Sequence, residues 1–307
     1  MTFVRRLLII TLVIGAACSA PSKPDPVGPG PGPGPAPDPG PAVQNAPPVI
    51  GTFRVQGARA GQPPNFADLA ESIAVSVTVA DPETAITDLT FNWSCAVGTF
   101  SGSGAAVTWR APATATITPI DVALTVEVVE TYRSQGRNVE NRVTGSTTVS
   151  LHNSIQEVSD LSRQFLLDFS DSSLDVIQVM RNFEPSCYGT LLEASDVTEN
   201  RRDFTIIESK IGAAVTSVGF GGACSFRSRP GDACSRVPVF WRSRAKQDLY
   251  DSRGRLVLRR GEVATASGVD QIAAMYYPSQ KRWRLCDSAF DPDSTSQEAL
   301  DIPSLVP

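Results

Sequence analysis

Apolar residues recur at every second position across 72–79, where Ile73, Val75, Val77 and Val79 alternate with Ala74, Ser76 and Thr78. A period of two places the four apolar side chains on one face of a β-strand. Leu89, Phe91 and Trp93 repeat the pattern, as do Val107 and Trp109 and the run 122–129. Gly and Pro turns separate these short runs, and no helical period intervenes. The segment 47–153 is therefore predicted to be an all-β antiparallel sandwich with two opposed hydrophobic faces.

Beyond residue 153 the period changes. Ile155, Val158, Leu161, Phe165, Leu166 and Phe169 fall on one helical stripe, and Ser172 or Ser173 is placed to cap a second helix holding Leu174, Ile177, Val179 and Met180. After Phe183 the pattern turns to strands at 204–208, 214–220, 237–244, 254–264 and 272–277. A turn at 278–281 then leads into a last strand at 282–286. The expectation for 154–292 is an α+β domain with two helices packed on a curved antiparallel sheet, and the whole chain reads as multi-domain.

Neither pattern extends to the ends. Residues 19–46 are almost entirely Pro, Gly and a few polar residues, a composition that buries no core and behaves as a solvated tether. Residues 293–307 read as an acidic, polar, loosely ordered tail. At the start, Arg5 and Arg6 precede an apolar run at 7–14 that is short for a membrane span. Gly15, Ala16 and Ala17 then lead into Cys18. This segment resembles the lipobox of bacterial lipoproteins, which implies a signal peptide over 1–18 and a lipid on Cys18. The resemblance departs from the family at Gly15, where Leu is usual. An ordinary secretory signal cut after Ala20 is the competing reading, and it would leave Pro21 directly after the cut bond.

Composition narrows the function classes. About 260 residues lie outside the leader and tether, more than one core usually serves. The formal charge of −5 argues against a general nucleic-acid binder. A single histidine, His152, leaves little room for Ser–His–Asp chemistry or a histidine-rich metal site, and the glycines at 219–222 lack the lysine of a phosphate loop.

Two further resemblances carry expectations. Asp81-Pro82-Glu83, the strand around Trp93, the glycine-rich 98–104 and the stretch 107–112 resemble bacterial Ig-like domains of the PKD type. That likeness implies a surface spacer or adhesive module. The helix-then-strand order of 154–292, closing on a turn before the Trp283 strand, resembles the nuclear transport factor 2-like and cystatin-like folds. It implies a cavity between sheet and helices, which some members use for small ligands or catalysis. No catalytic residue is carried over, since nothing places Tyr250, Tyr276 or Tyr277 beside an acid.

Several side chains are candidates for chemistry. Asp81, Glu83 and Asp88 sit around one connection and supply oxygen ligands suited to calcium, the only cofactor with any support; a solvated acidic turn with Asp81 capping backbone donors is the plainer reading. Trp93, Trp109 and Cys95 are read as core residues. Cys187, Cys224, Cys234 and Cys286 form an even set in an exported chain, for which three pairings exist; Cys224 with Cys234 and Cys187 with Cys286 are favoured. Arg242, Arg244 and Lys246 belong to a basic stretch able to meet an anionic glycan or headgroup, or to form an ordinary solvated strand face. The expected function is a cell-envelope lipoprotein, at an outer membrane or cell surface, presenting a non-catalytic binding or structural module. Its partners would be the membrane through its lipid and an envelope glycan or surface protein, with no nucleic acid. The alternative is an envelope enzyme or small-ligand carrier using the cavity of the second domain, and a cavity filled by Phe, Leu and Trp side chains would argue against it.

Overall fold

The computed structural model describes residues 45–224 and 231–292. The leader, Cys18, most of the tether and the tail lie outside them. The described chain is mostly β-sheet with three α-helices, and no helix among the described residues is long and apolar enough to cross a membrane.

Eight strands build the first part: β1 (Val49–Gln56), β2 (Phe66–Asp68), β3 (Ser72–Ala80), β4 (Thr90–Cys95), β5 (Thr99–Ser101), β6 (Ala106–Arg110), β7 (Ile120–Ser134) and β8 (Arg137–His152). They form two four-stranded sheets, ordered β1-β3-β6-β5 and β2-β8-β7-β4. All pairings are antiparallel except β2 with β8. Alternation decides which side chains meet. Ile73, Val75 and Trp109 of the first sheet pack on Val122, Leu124, Val149 and Leu151 of the second, and Val77 and Val79 meet Val126 and Val128. Trp109 is fully buried, with its indole N–H donating to the Val97 carbonyl at 3.2 Å. Trp93 and Cys95 pack half-buried against the same core.

The second part begins at α1 (Ser154–Ser170), whose inward stripe is Val158, Ser162, Phe165 and Leu166. Two expectations about helices need correction. The second helix, α2 (Val176–Val179), is only one turn, and its cap is Asp175 in a reciprocal box with Gln178, not Ser172 or Ser173. Residues after Phe183 do not all turn to strands: α3 (Tyr188–Asp203) is a 16-residue helix that the apolar pattern did not reveal. The remaining strands are β9 (Phe204–Ile211), β10 (Val215–Val218), β11 (Ala233–Ala245), β12 (Leu249–Tyr250), β13 (Leu256–Leu258), β14 (Val263–Tyr277) and β15 (Arg282–Asp291).

In the main sheet β11 pairs with β14, and β14 with β15, while β10 and β9 line up along successive halves of the other edge of β11. The runs at 254–264 and 272–277, read as separate strands, belong instead to a small β12-β13 hairpin and to one long strand, β14. Bulges at Arg242/Ser243 and Ala273/Ala274 bend the sheet. The helices α1 and α3 lie against it.

The two parts share a core. Phe66 on β2 packs in the cluster formed by α1, α2, α3 and the main sheet, beside Phe220, Tyr276 and Trp283. Asp68, two residues on, accepts hydrogen bonds from the Ser154 amide at 2.9 Å and hydroxyl at 2.6 Å. A carboxylate on the first turn of α1 meets the positive end of the helix dipole, so the sandwich caps the helix that starts the second part. Arg59 pairs with Asp68 and Glu71 and lies over the rings of Phe66 and Phe220.

Candidate functional site

A cavity of about 330 Å³ lies between the main sheet and the two long helices. Alternation along the strands supplies its floor. Trp241 and Ser243 on β11 stand opposite Ala266 and Ala264 on β14, and Phe290 on β15 stands opposite Asp270. Small residues at Ser243, Ala264 and Ala266 leave space that larger ones would fill. Phe165, Leu166 and Phe169 enter from α1.

Aromatic rings form angled walls. Phe169 and Trp241 lie 5.5 Å apart at 58°, and Trp241 and Phe290 lie 5.4 Å apart at 54°. The Trp241 indole N–H donates to Ser170 Oγ at 3.4 Å, which orients the ring from α1.

Three carboxyl groups share this space: Glu193 and Asp196 from α3, and Asp270 from β14. Glu193 and Asp270 are 6% and 4% exposed, so two acids are buried beside aromatic carbon. The Ser288 hydroxyl donates to Glu193 Oε2 at 2.6 Å. Asp196 is exposed, and Asn200 stands one turn further along α3. Among the described lining residues there is no Lys, Arg, His or Tyr.

The helix carrying Glu193 is held closely. Cys187, its N-cap residue, is disulfide-bonded to Cys286 on β15, with Cα atoms 5.3 Å apart. Gly189 lies so near the Cys286 carbonyl that an added Cβ would collide with backbone. Bridge, glycine contact and Ser288–Glu193 hydrogen bond follow one another along the α3–β15 seam, and together they set which face of α3 looks into the cavity. Glu193 lies four residues from both Gly189 and Val197, hence on their buried face.

Most residues singled out from the sequence lie elsewhere. Cys224 and Cys234 form the second disulfide, with Cα atoms 5.0 Å apart. Asp81 Oδ1 accepts from the amides of Glu83 and Thr84, closing a turn. Asp81, Glu83 and Asp88 are not brought together as a ligand set: among the described residues no group of three His, Cys, Asp or Glu side chains is placed to hold a metal. Arg242 and Arg244 are exposed on β11, Arg242 facing Glu208 at 3.8 Å, while Lys246 donates to the Arg201 carbonyl. These three do not converge on the cavity.

His152 is fully buried where the two parts meet. Its Nδ1 lies 2.9 Å from Glu157 Oε2, and its Nε2 lies 2.9 Å from Ser150 Oγ and 3.2 Å from the Tyr276 hydroxyl. The order hydroxyl, imidazole, carboxylate is that of a nucleophilic triad. Ser150 is only 3% exposed, however, and neither it nor His152 lines the cavity. Phe66 stacks on the imidazole at 4.7 Å. Burial raises the Glu157 carboxyl, but the hydrogen bond and charge of His152 together with hydrogen bonds from the Asn153 amide and Thr118 outweigh it and hold the group below the usual carboxylate range. Burial pushes the Tyr276 phenol up to about 12. These groups fasten the junction.

The cavity acids Glu193, Asp196 and Asp270 were not anticipated. Glu193 lies on α3, which the apolar pattern does not reveal, and Asp270 lies between the runs read as strands at 254–264 and 272–277, so pattern reading gives no signal for either. No family model matches the chain, and no curated protein or solved structure resembles it closely enough to carry an argument.

Proposed function

We propose that the protein is an exported, lipid-anchored envelope protein whose C-terminal part receives a small ligand in the cavity between α1, α3 and the main sheet. The observation that carries this reading is the cavity itself. Its volume of about 330 Å³ falls at the lower end of small-ligand sites, which run from roughly 300 to 1,000 Å³. Its walls are aromatic, with a few polar groups that converge. Buried acids beside aromatic carbon in a cleft are one mark of a functional site, and Glu193 and Asp270 supply it here. The nuclear transport factor 2-like reading of the second part accords with a cavity of this kind, and the PKD-type Ig-like reading of the first part makes the sandwich a spacer. The pattern around Cys18 and the Pro/Gly-rich run after it supply the anchor and tether.

A neutral apolar fluorophore, N-phenyl-1-naphthylamine, tests the cavity. Saturable enhancement with one site per chain is expected, and a signal that rises without saturating would contradict the reading. The anchor is tested separately, by fractionating cells that express the full chain. Cys18→Ala should release the protein from the membrane fraction, and unchanged retention would overturn the lipid attachment.

A further inference from the structure

We propose that the β12–β13 hairpin is a membrane-contact element, seated on a bilayer surface that carries anionic lipid headgroups. It runs from Leu249 to Leu258, between β11 and β14, and among the described residues its two strands pair only with each other. Two strands alone give apolar side chains little to pack on. Tyr250 and Leu256 face each other across the ribbon at 60% and 43% exposure, and Val257 beside them is 65% exposed. Three large apolar side chains therefore stand in water within one hairpin, and none of them packs on the buried cores.

Charge decides what such a surface meets. Residues 246–262 hold five basic side chains and three acidic ones, in a chain whose net charge is −5. The acids are engaged locally. Asp248 accepts from the Arg260 amide, Glu262 from the Arg259 amide, and Asp251 from the amides of Arg253 and Arg255 and from the Arg255 guanidinium at 2.7 Å. Lys246 is held by the Arg201 carbonyl. Arg253, Arg259 and Arg260 are exposed, and their guanidinium groups make no ion pair with a described residue. Free cations around exposed apolar side chains suit a headgroup layer. Leu and Val enter the acyl boundary, Tyr stays at its polar edge, and Arg reaches the lipid phosphates. An acidic glycan would use the cations and leave Leu256 and Val257 in water. A second copy of the hairpin would set arginines against arginines. The inference uses neither the cavity nor Cys18.

Vesicle flotation tests it, with protein spanning residues 19–307, which keeps every described residue and carries neither the apolar leader nor a lipid. The vesicles are phosphatidylcholine alone or mixed with phosphatidylglycerol. The protein should float with the anionic vesicles at low salt and be released at high salt, and phosphatidylcholine alone should hold it at least about tenfold more weakly. Arg253→Gln/Arg259→Gln/Arg260→Gln should weaken binding by about a hundredfold, at about fivefold for each arginine near such a surface. Tyr250→Ser/Val257→Ser should weaken it by about tenfold and leave the salt dependence in place. All five positions are exposed, so neither variant should change the melting temperature. Arg242→Gln/Arg244→Gln, on the sheet face, should bind as the wild type does. Absence of flotation with anionic vesicles would overturn the inference, as would full binding by either hairpin variant. Capture by dextran sulfate with vesicle binding indifferent to Tyr250→Ser/Val257→Ser would overturn it in favour of a glycan. Self-association without vesicles, abolished by the same substitutions, would overturn it in favour of a second copy. None of these outcomes bears on the fluorophore or Cys18→Ala experiments, so the two readings fail separately.

Discussion

His152 shows how a reactive residue type is spent on structure. Its ring is fully buried, stacked on Phe66 and bonded on both nitrogens, so it joins β8, α1 and β14 across the junction. The Glu157 carboxyl that holds it has a folded pKa below its unfolded value of about 4.3. The sign of the linkage follows: its contribution is present in full above about pH 4.3 and is lost as pH falls through the lower folded value. Acid unfolding of the wild type should therefore begin below about pH 4, and Glu157→Gln should lower stability at neutral pH while flattening this acid limb. Identical acid-unfolding curves for the two proteins would show that the pair does not hold the junction. The imidazole is out of reach of the cavity, and the residues that line it are carboxyls and aromatics instead.

At the scale of elements, α3 matters most. Its outer face carries Leu191 at 71% exposure, while its inner face carries Gly189, Glu193 and Val197. Such a helix has almost no apolar stripe, and no side-chain hydrogen bond caps its start. That is why the sequence pattern passed over it, although α1 and the alternating strands β3, β6 and β7 were legible from their periods alone. The cavity was illegible for the same reason. Its acids occupy inward positions where burial normally selects apolar residues, and the cost is met by contacts made only after folding. The split reading of β14 arose from a stretch of small and polar residues, 264–268, which includes two positions, Ala264 and Ala266, that keep the cavity open. Because α3 is fastened to β15 through Cys187–Cys286, which spans a sequence separation of 99, the bridge has a double effect. The double substitution Cys187→Ser/Cys286→Ser should cost about 4 to 5 kcal/mol in urea unfolding, as expected for a loop of roughly 100 residues, and should weaken fluorophore binding. Unchanged stability would mean that the seam is held by packing alone.

At the scale of the molecule, the sandwich and the second part are joined by a shared core. Phe66 belongs to the second part's core, Asp68 caps its first helix, and Arg59 joins Phe66 to Phe220. The first part is thus a rigid mount for the second, and the cavity sits on elements that the mount and the Cys187–Cys286 bridge both brace. Holding a site on braced elements is what precise recognition of a small ligand requires. The most direct test fills the cavity without touching its supports. Ala264→Trp places a large side chain on β14, opposite Ser243. The account predicts that this variant melts no lower than the wild type, since it fills space with apolar contact, yet loses fluorophore binding by an order of magnitude or more. Full fluorophore binding in a folded Ala264→Trp protein would contradict it, because the ligand would then have to sit somewhere else.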